Sequence, residues 1–314
     1  MASFPAQRDD VLYLTEGGQE TEIMYKFGHD LPEFAMFPLL EKPAAMPHLR
    51  GMYQRVLDAA AEHGFTAMIA GLDYRASPDW GEKLGYSRDA LADAILQGIA
   101  FLREVSRPYE GQGTMVHCGG MVGPRGDAYS LNRTITADQA EDYHSFQLEV
   151  LQRAGVDFAT AMTFNNVPEA VGICRAAARI GVPINVSFTL ASDHRLKSGP
   201  SLKQAIEAVD AEAGDARPDS YGINCSHPLE FEPALEPGDW MERVRYLRPN
   251  ASAMEKIELC QIGHLEEGDP LDLGARMGDL AQRYPHIDIW GGCCGTWDRH
   301  LNEIARNVRR TRLP

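Results

Sequence analysis

Short apolar runs alternate with longer amphipathic segments along this chain, and no other feature restricts its fold as strongly. Eight of the runs are rich in β-branched, aromatic or small residues and are bounded by Gly, Pro, Asn or Asp, which predicts strands. The predicted strands are Val11–Leu14, Phe65–Ala70, Thr114–Cys118, Val156–Phe164, Ile184–Leu190, Tyr221–Cys225, Val244–Leu247 and Ile287–Trp290.

The segments between these runs have helical spacing. Apolar residues stand at i, i+3, i+4 and i+7 from Tyr53 to Ala60, and similar segments follow at Tyr143–Ala154, Pro168–Ile180, Pro200–Ala213 and Leu273–Tyr284. Gly155 and Gly181 are placed to end two of these helices. Eight strands alternating with helices predict an α/β chain of parallel βα units, either a closed barrel or an open doubly wound sheet.

Polar or glycine-containing triplets follow most of the predicted strands and favour the closed barrel. They include Glu16-Gly17-Gly18, Gly71-Leu72-Asp73, His117-Cys118-Gly119, Thr163-Phe164-Asn165, Asn224-Cys225-Ser226 and Gly291–Cys294. In a (β/α)8 TIM barrel these carboxyl-terminal strand ends converge on one mouth, whereas in an open sheet the first and last would lie far apart. No segment has the composition of a linker, so we expect one barrel domain over residues 1–314.

Composition narrows the functional classes. The chain carries 30 Lys and Arg against 45 Asp and Glu, a formal net charge of −15, which disfavours nucleic acid as a partner. Its 44% hydrophobic and 24% charged residues are typical of a globular protein. We read neither a signal peptide nor a membrane span, and therefore expect a cytoplasmic protein without a membrane partner; a homo-oligomer is left open.

Two of the six cysteines are adjacent, and this pair suggests a metal site. Cys225 closes the sixth predicted strand, while Cys293 and Cys294 follow the eighth, so a barrel would bring three thiols to its mouth. Three protein ligands with an open fourth position are typical of catalytic zinc. Zinc would also hold an added thiol as a nucleophilic thiolate at neutral pH.

Other interpretations of the cysteines stay open at this point. A lone cysteine is usually a small buried apolar residue, which is our prediction for Cys118, Cys174 and Cys260. His117 beside Cys118 is a weaker rival metal pair. His227, two residues after Cys225, could supply a fourth ligand and would turn a catalytic site into a closed structural one.

The residues around these cysteines resemble the homocysteine S-methyltransferase family. Gly222-x-Asn224-Cys225 and Gly291-Gly292-Cys293-Cys294-Gly295-Thr296 are similar to its two signature motifs. Further similar blocks stand in the same order along the chain, namely Glu16–Thr21, Arg75–Trp80 through Leu84–Tyr86, Gly123–Tyr129, and Tyr143-His144 with Gln147.

The resemblance implies a (β/α)8 barrel in which Cys225, Cys293 and Cys294 bind zinc. It further implies methyl transfer from a small onium donor, such as S-methylmethionine or betaine, to a zinc-bound thiol, typically homocysteine, which gives methionine. The chain has no length left for folate, cobalamin or activation domains, so we expect a small donor. Zinc supplies the thiolate without a general base.

Three departures from the family pattern concern the substrate. Glu16 replaces the usual Asp and is one methylene longer, Gly71-Leu72-Asp73 replaces a Thr-x-Thr type run, and Met162 replaces a Glu that engages the ammonium group of the acceptor. Losing that carboxylate should weaken ammonium binding by ~1.5–3 kcal/mol. Asp73 is our candidate replacement; alternatively it caps a loop or pairs with Arg75.

The substrate-binding candidates are thus Glu16, Gly17, Gly18, Asp73, Met162, Thr163 and Asn224. Aromatic residues suited to a cationic methyl donor are Phe27, Tyr74, Trp80, Tyr86 and Trp297, although packing is the favoured explanation for each of them. Two rival hypotheses remain, the same zinc barrel acting on another thiol or selenol, and a non-catalytic zinc or ligand-binding barrel.

Overall fold

Eight parallel strands form a closed barrel in chain order, each paired with the next and β8 with β1. The structure is a computed structural model that describes residues 3–129 and 135–312, without the side chain of Cys260. The strands are β1 Tyr13–Thr15, β2 Thr66–Ile69, β3 Val116–Val122, β4 Phe158–Phe164, β5 Ile184–Phe188, β6 Ser220–Asn224, β7 Val244–Arg248 and β8 Ile289–Trp290. The predicted TIM barrel is confirmed.

Helices follow every strand and surround the barrel. In chain order the α-helices are α1 Gln19–Tyr25, α2 Met46–His63, α3 Pro78–Lys83, α4 Arg88–Glu110, α5 Ala137–Ala154, α6 Val167–Ile180, α7 Leu202–Ala213, α8 Pro228–Phe231, α9 Lys256–Gln261, α10 Pro270–Arg283 and α11 Asp298–Arg312. Neighbouring helices of the outer ring pack side by side, and α11 closes the ring against α2. The short helices α1, α3 and α9 instead lie in the loops after β1, β2 and β7.

The helix ends follow the local signals in the sequence. Gly155 and Gly181 adopt left-handed conformations with φ of 65° and 85°, where α5 and α6 end as predicted. Asn166 begins α6 by accepting a hydrogen bond from the Glu169 backbone amide. Among the described residues, no helix combines the length and apolar character that crossing a bilayer requires.

Successive side chains of each strand point alternately to the helices and to the barrel interior, which divides the core into two layers. One set of apolar side chains, including Leu14, Ile69 and Ile223, packs between the strands and the helices. A smaller set fills the inside of the barrel and includes Tyr13, Met68, Met121, Phe158, Met162, Tyr246 and Ile289, with Phe4 packed among them. Met162 is therefore an interior residue of the barrel, a position that becomes important at the mouth.

The third strand differs from its prediction. We expected it to end at Cys118 and the following glycines to form a turn, but β3 continues through Gly119 and Gly120 to Val122. A Cβ atom on Gly119 would lie 2.5 Å from the Phe158 ring, and one on Gly120 would lie 2.4 Å from Leu151. The glycines thus permit close packing within the strand rather than a turn, and Cys118 lies below the mouth.

This packing gives a stability prediction. The substitution Gly119→Ala should lower the free energy of unfolding by about 1–3 kcal/mol, because the new methyl group overlaps the Phe158 ring. Urea denaturation monitored by circular dichroism measures the change. Gly98→Ala on α4 is the matched control, since its new Cβ would have no atom closer than 3.6 Å. Equal stability of Gly119→Ala and the wild type would contradict the packing argument.

Candidate functional site

The structure brings together the three cysteines that the sequence analysis selected. Cys225 directly follows β6, and Cys293 and Cys294 lie in the loop between β8 and α11. The sulfur of Cys225 lies 2.9 Å from that of Cys293 and 3.5 Å from that of Cys294. Among the described residues, they form the one group of three His, Cys, Asp or Glu side chains whose ligand atoms all lie within 4.8 Å of one another.

Their chemistry fits a soft divalent metal ion. Three sulfurs this close share protons, which lowers the pKa of Cys293 well below its usual value and raises the pKa of Cys225 and Cys294, because the latter two donate hydrogen bonds to the first. Sulfur ligands of a tetrahedral zinc ion lie about 3.8 Å apart for bonds of about 2.3 Å. The distances of 2.9 and 3.5 Å are shorter, so the sulfurs would move apart slightly around a bound ion. The three cysteines are therefore a candidate metal centre.

His227 does not join this group. Its Nδ1 accepts a hydrogen bond from the Leu229 backbone amide and begins α8. The charges that act on its ring come from Arg276 and Asp272 on α10, outside the barrel mouth. The geometry therefore leaves the cysteine site with three protein ligands among the described residues, and the closed-site alternative gains no support.

Backbone strain and a side-chain amide position the first cysteine. Cys225 and Thr163 both have positive φ values, 53° and 60°, which are costly for residues with a Cβ and tend to concentrate at functional sites. Asn224 joins them, because its Oδ1 accepts a hydrogen bond from the Thr163 amide and its Nδ2 lies 3.9 Å from the Cys293 sulfur. The ends of β4 and β6 are thereby tied to the cysteine pair.

The loop that carries the cysteine pair rests on the Gly17-Gly18 turn. The Gly18 amide donates to the Thr296 carbonyl, and a Cβ on Gly18 would lie only 2.4 Å from the Cys293 carbonyl oxygen. Gly295 has a φ of 80° and lets the chain turn immediately after Cys294. Close backbone contact, rather than a contact to substrate, explains why glycine is needed at Gly18.

Glu16 lies in a buried ion pair. Its Oε1 accepts a hydrogen bond from Arg248 Nη1 at 2.8 Å, and its Oε2 accepts one from the Ala70 amide. Arg248 also donates to the carbonyl oxygens of Gly17 and Gly292. Burial raises the pKa of Glu16, and the Arg248 guanidinium opposes that rise. The expected role of Glu16 in orienting the acceptor stays a prediction, but its carboxylate already has partners.

Asp73 is similarly occupied. It is 3% exposed, and its carboxylate accepts hydrogen bonds from the Met121 amide and from Gln147 Nε2. Burial raises its pKa to about 6. Asp73 does not pair with Arg75, and it does not line either cavity at the cysteine site. The Asp73 carboxylate therefore joins β3 to α5, and its role in ammonium binding stays a prediction.

Two cavities meet at the cysteines. The inner cavity, of about 400 Å³ including the space open to solvent, lies over the barrel interior. Its walls include all three cysteines together with Gly17, Gly18, Met162, Thr163 and Asn224. The outer cavity, of about 860 Å³, is lined by Cys294, Arg75, Asn250 and Lys256 and by aromatic rings. Phe34, Tyr129 and Cys294 border both. Two small molecules could thus approach the same sulfur site from different sides.

The two cations that line the outer cavity, Lys256 and Arg75, differ in whether a carboxylate pairs with them. Lys256 is paired with Glu230 at 2.9 Å and donates to the Leu190 carbonyl. Arg75 donates to the Gly126 carbonyl and lies over the rings of Tyr74 and Trp80, but no carboxylate among the described residues forms an ion pair with it. Arg75 is therefore a cation of this cavity without an ion-pair partner among the described residues, and the Asp127 side chain lines the same cavity.

Most of the predicted aromatic candidates lie elsewhere. Tyr74 lines the inner cavity, whereas Phe27 stacks on His48 and Tyr86 packs against Phe37. Trp80 contacts Arg75 and Lys83, and Trp297 contacts Lys26. The rings at the cavities are instead Tyr25, Phe34 and Tyr129, which periodicity did not single out.

Comparison with known proteins agrees with this geometry. The profile of the family described as homocysteine S-methyltransferase matches residues 13–308. The chain belongs to the homocysteine S-methyltransferase family. It is 24% identical to homocysteine S-methyltransferase 4 of Zea mays over 85% of this chain and 81% of that one. It is 26% identical to betaine–homocysteine S-methyltransferase 1 of Mus musculus, over 52% of this chain and 42% of that protein.

Solved structures support the same fold. The Escherichia coli homocysteine methyltransferase MmuM in its oxidised form matches with a TM-score of 0.74 and 19% identity, covering 96% of both chains. Its metallated form matches with a TM-score of 0.72, also at 19% identity, over 95% of this chain and 96% of that one. Membership of the family makes this chain a methyltransferase and confirms the resemblance stated from the sequence motifs.

Three residues of this homocysteine S-methyltransferase family site escaped the sequence analysis. Glu20 lines the inner cavity, and burial raises its pKa to about 7. The hydroxyl of Tyr129 lies 3.3 Å from the Cys225 sulfur, and Arg248 stands at the end of β7. Glu20 and Tyr129 stand inside blocks already compared with the family. Extending the seventh strand by one residue would have placed Arg248 at the mouth.

The remaining described cysteines are packing residues, as predicted. Cys118 is buried with its sulfur 3.7 Å from Ser106 on α4, and burial raises its pKa to about 11. Cys174 is fully buried on α6, and burial raises its pKa as well. His117 and Cys118 form no metal group with a third ligand among the described residues. The side chain of Cys260 lies outside the described residues, so its prediction stands untested.

The close contact between Gly18 and the Cys293 loop predicts that a larger residue at position 18 weakens metal binding. Gly18→Ala should displace the Cys293 carbonyl and weaken zinc binding by more than about tenfold, because its Cβ would overlap that oxygen. Zinc per chain after dialysis against a competing chelator is the measurement. Gly51→Ala on α2 is the control, since its nearest contact would be the flexible Arg55 side chain at 3.4 Å. Wild-type zinc retention by folded Gly18→Ala would refute the role given to this contact.

Proposed function

We propose that this protein is a zinc-dependent S-methyltransferase that moves a methyl group from a small onium donor to the thiolate of homocysteine and so forms methionine. The observation that carries the proposal is the convergence of Cys225, Cys293 and Cys294 where two cavities meet. Methyl transfer needs two substrates at one reacting sulfur, and the site offers a compartment for each.

These cysteines would hold the zinc ion as three thiolate ligands and leave one position for the acceptor sulfur. When bound, zinc keeps that sulfur deprotonated at neutral pH. The chain itself supports the cysteines: the Tyr129 hydroxyl, whose pKa burial raises well above 10, is a hydrogen-bond donor to the Cys225 sulfur. Asn224 lies against Cys293 from the opposite strand end.

The reaction itself is a displacement at carbon. The thiolate forms a carbon–sulfur bond to the methyl group, and the methyl bond to nitrogen or sulfur in the onium donor breaks with both electrons leaving on the donor. The donor becomes a neutral amine or thioether, and no proton has to move at the reacting carbon. The protein therefore has to orient the two substrates and exclude water.

The outer cavity suits a zwitterionic onium donor. Tyr25, Phe34 and Tyr129 present aromatic rings that attract a methylated cation. Arg75 adds a positive charge that would attract a carboxylate, a group found on both betaine and S-methylmethionine. A donor with a cationic and an anionic end satisfies both features.

The alternatives rest on the same site. A different thiol or selenol acceptor would use the same cysteines and would differ only in the inner cavity. The non-catalytic barrel requires a closed metal site, which the position of His227 does not support. A cytoplasmic location remains a prediction from the sequence, and the absence of nucleic-acid partners remains a prediction from the net charge of −15.

Loss of one cysteine should abolish both zinc and catalysis. We expect Cys294→Ala to retain well under one zinc per chain and to lose more than about 100-fold in methyl transfer to homocysteine. Purified protein is incubated with homocysteine and either S-methylmethionine or betaine, and methionine is detected by mass. Cys174→Ala, at a buried cysteine remote from the site, should keep both zinc and activity.

Full methyl-transfer activity of Cys294→Ala would contradict the proposal. Turnover by the wild type on another thiol or a selenol, with none on homocysteine, would favour the altered-acceptor alternative instead. In that case the zinc content of the two cysteine variants should still differ, because the metal site does not depend on the acceptor.

A further inference from the structure

We propose that Glu20 binds the positively charged amine of the acceptor thiol and thereby selects aminothiols over thiols that lack an amine. The inference deepens the proposed function and rests on it for the identity of the inner cavity as the acceptor site. It assigns to a residue on α1 a specificity role that the sequence analysis sought at Asp73.

Glu20 lies in the wall of the acceptor cavity. Glu20 is the second residue of α1 and lines the inner cavity in which all three cysteine sulfurs are found. Met162 and Thr163 lie in the same wall, so the cavity is mostly uncharged apart from the cysteines, Glu20 and Arg248. A thiol bound at the cysteines would place the rest of its chain within this small volume of about 400 Å³.

The Glu20 carboxylate has no competing side-chain partner among the described residues. Among the described residues, no side chain donates a hydrogen bond to the Glu20 carboxylate and no cation forms an ion pair with it. Other acidic groups near the mouth are occupied, Glu16 by Arg248, Asp73 by Gln147 and Glu230 by Lys256. Glu20 is thus the carboxylate in the acceptor cavity that is available to a ligand.

The cation nearest to Glu20 in the cavity wall, Arg248, is engaged by other groups. Arg248, the cation in the same cavity wall, already contacts Glu16, two carbonyl oxygens and the Tyr246 hydroxyl. It therefore has little capacity left for Glu20. Burial of a carboxylate without a counter-charge is unfavourable, and a ligand cation in hydrogen-bond contact removes that cost. The fitting ligand is a small thiol with an ammonium group a few bonds from sulfur.

The charged groups of the two cavities suit different substrates, the acceptor in the inner cavity and the donor in the outer one. The inner cavity offers the Glu20 carboxylate, which has no side-chain partner among the described residues, and the outer cavity offers the Arg75 guanidinium, which has no ion-pair partner among them. An aminothiol would therefore be oriented with its amine inward, and a donor with a carboxylate would be held outside by Arg75. The cysteines stand between the two, where the thiol and the methyl group must meet.

Glu20→Gln tests the proposal by binding alone. Zinc-loaded wild type and variant are titrated calorimetrically with homocysteine and with 4-mercaptobutanoate, which is the same thiol without the amine. We expect the wild type to bind homocysteine more tightly. The substitution should raise the Kd for homocysteine about 10- to 100-fold and leave that for 4-mercaptobutanoate unchanged or lower.

Glu22→Gln is the matched control on the same helix. The Glu22 carboxylate contacts Arg55 and does not line the inner cavity. This variant should leave the Kd values of both thiols at their wild-type levels. Circular dichroism and zinc content establish that Glu20→Gln is folded and loaded, so an effect on binding is not an effect on the fold.

Two outcomes would overturn the proposal. An equal loss of affinity for both thiols would show that Glu20 supports the cysteine site rather than the amine, and an unchanged preference for homocysteine would show that another group binds it. The result is independent of turnover: if no methyl transfer is detected, the proposed function fails, while the difference between the two thiols still reports on Glu20.

Discussion

A single buried ion pair, between Glu16 and Arg248, holds the mouth of this barrel together. Glu16 follows β1 and Arg248 ends β7, yet their contacts extend to Ala70 after β2 and to Gly292 after β8. Because the two side chains are 1% and 3% exposed, removing either would leave a buried charge without its partner. The pair therefore ties four strand ends into one rigid frame, and the loop that carries the cysteine pair leaves from this frame.

The rest of the site follows from that frame and from closure of the barrel. The curvature of the barrel brings the ends of β6 and β8 to the same mouth on either side of β7, although nearly 70 residues of chain separate Cys225 from Cys293. The Gly17-Gly18 turn supports the cysteine loop from below, and Asn224 joins it to β4. Two cavities with different polar linings then border one sulfur cluster, an arrangement suited to joining two different small molecules.

The barrel and its cysteines could be predicted because their signals are local or repeated. Each strand is a short apolar run, several helices end at glycines such as Gly155 and Gly181, and Cys293-Cys294 is a rare pair. Where local signals are ambiguous, prediction failed: Gly119 and Gly120 were interpreted as a turn, but they lie within β3 because Phe158 and Leu151 occupy the space of their side chains.

Partnerships between distant side chains could not be predicted in this way. The spacing of residues indicates that Glu16 and Asp73 are near the mouth, but not that Arg248 and Gln147 already occupy their carboxylates. For the same reason Glu20 was overlooked, since its significance lies in having no side-chain partner among the described residues. The sequence was enough to locate charged residues at the strand ends. The structure was needed to tell which of those charges is available to a substrate.

X-ray absorption at the zinc edge tests the central claim most directly. The account predicts three sulfur neighbours at about 2.3 Å and one lighter atom in the zinc-loaded protein, with a fourth sulfur replacing the lighter atom when homocysteine is added. A coordination sphere that is already closed by four protein ligands, and that stays unchanged with homocysteine, would contradict it.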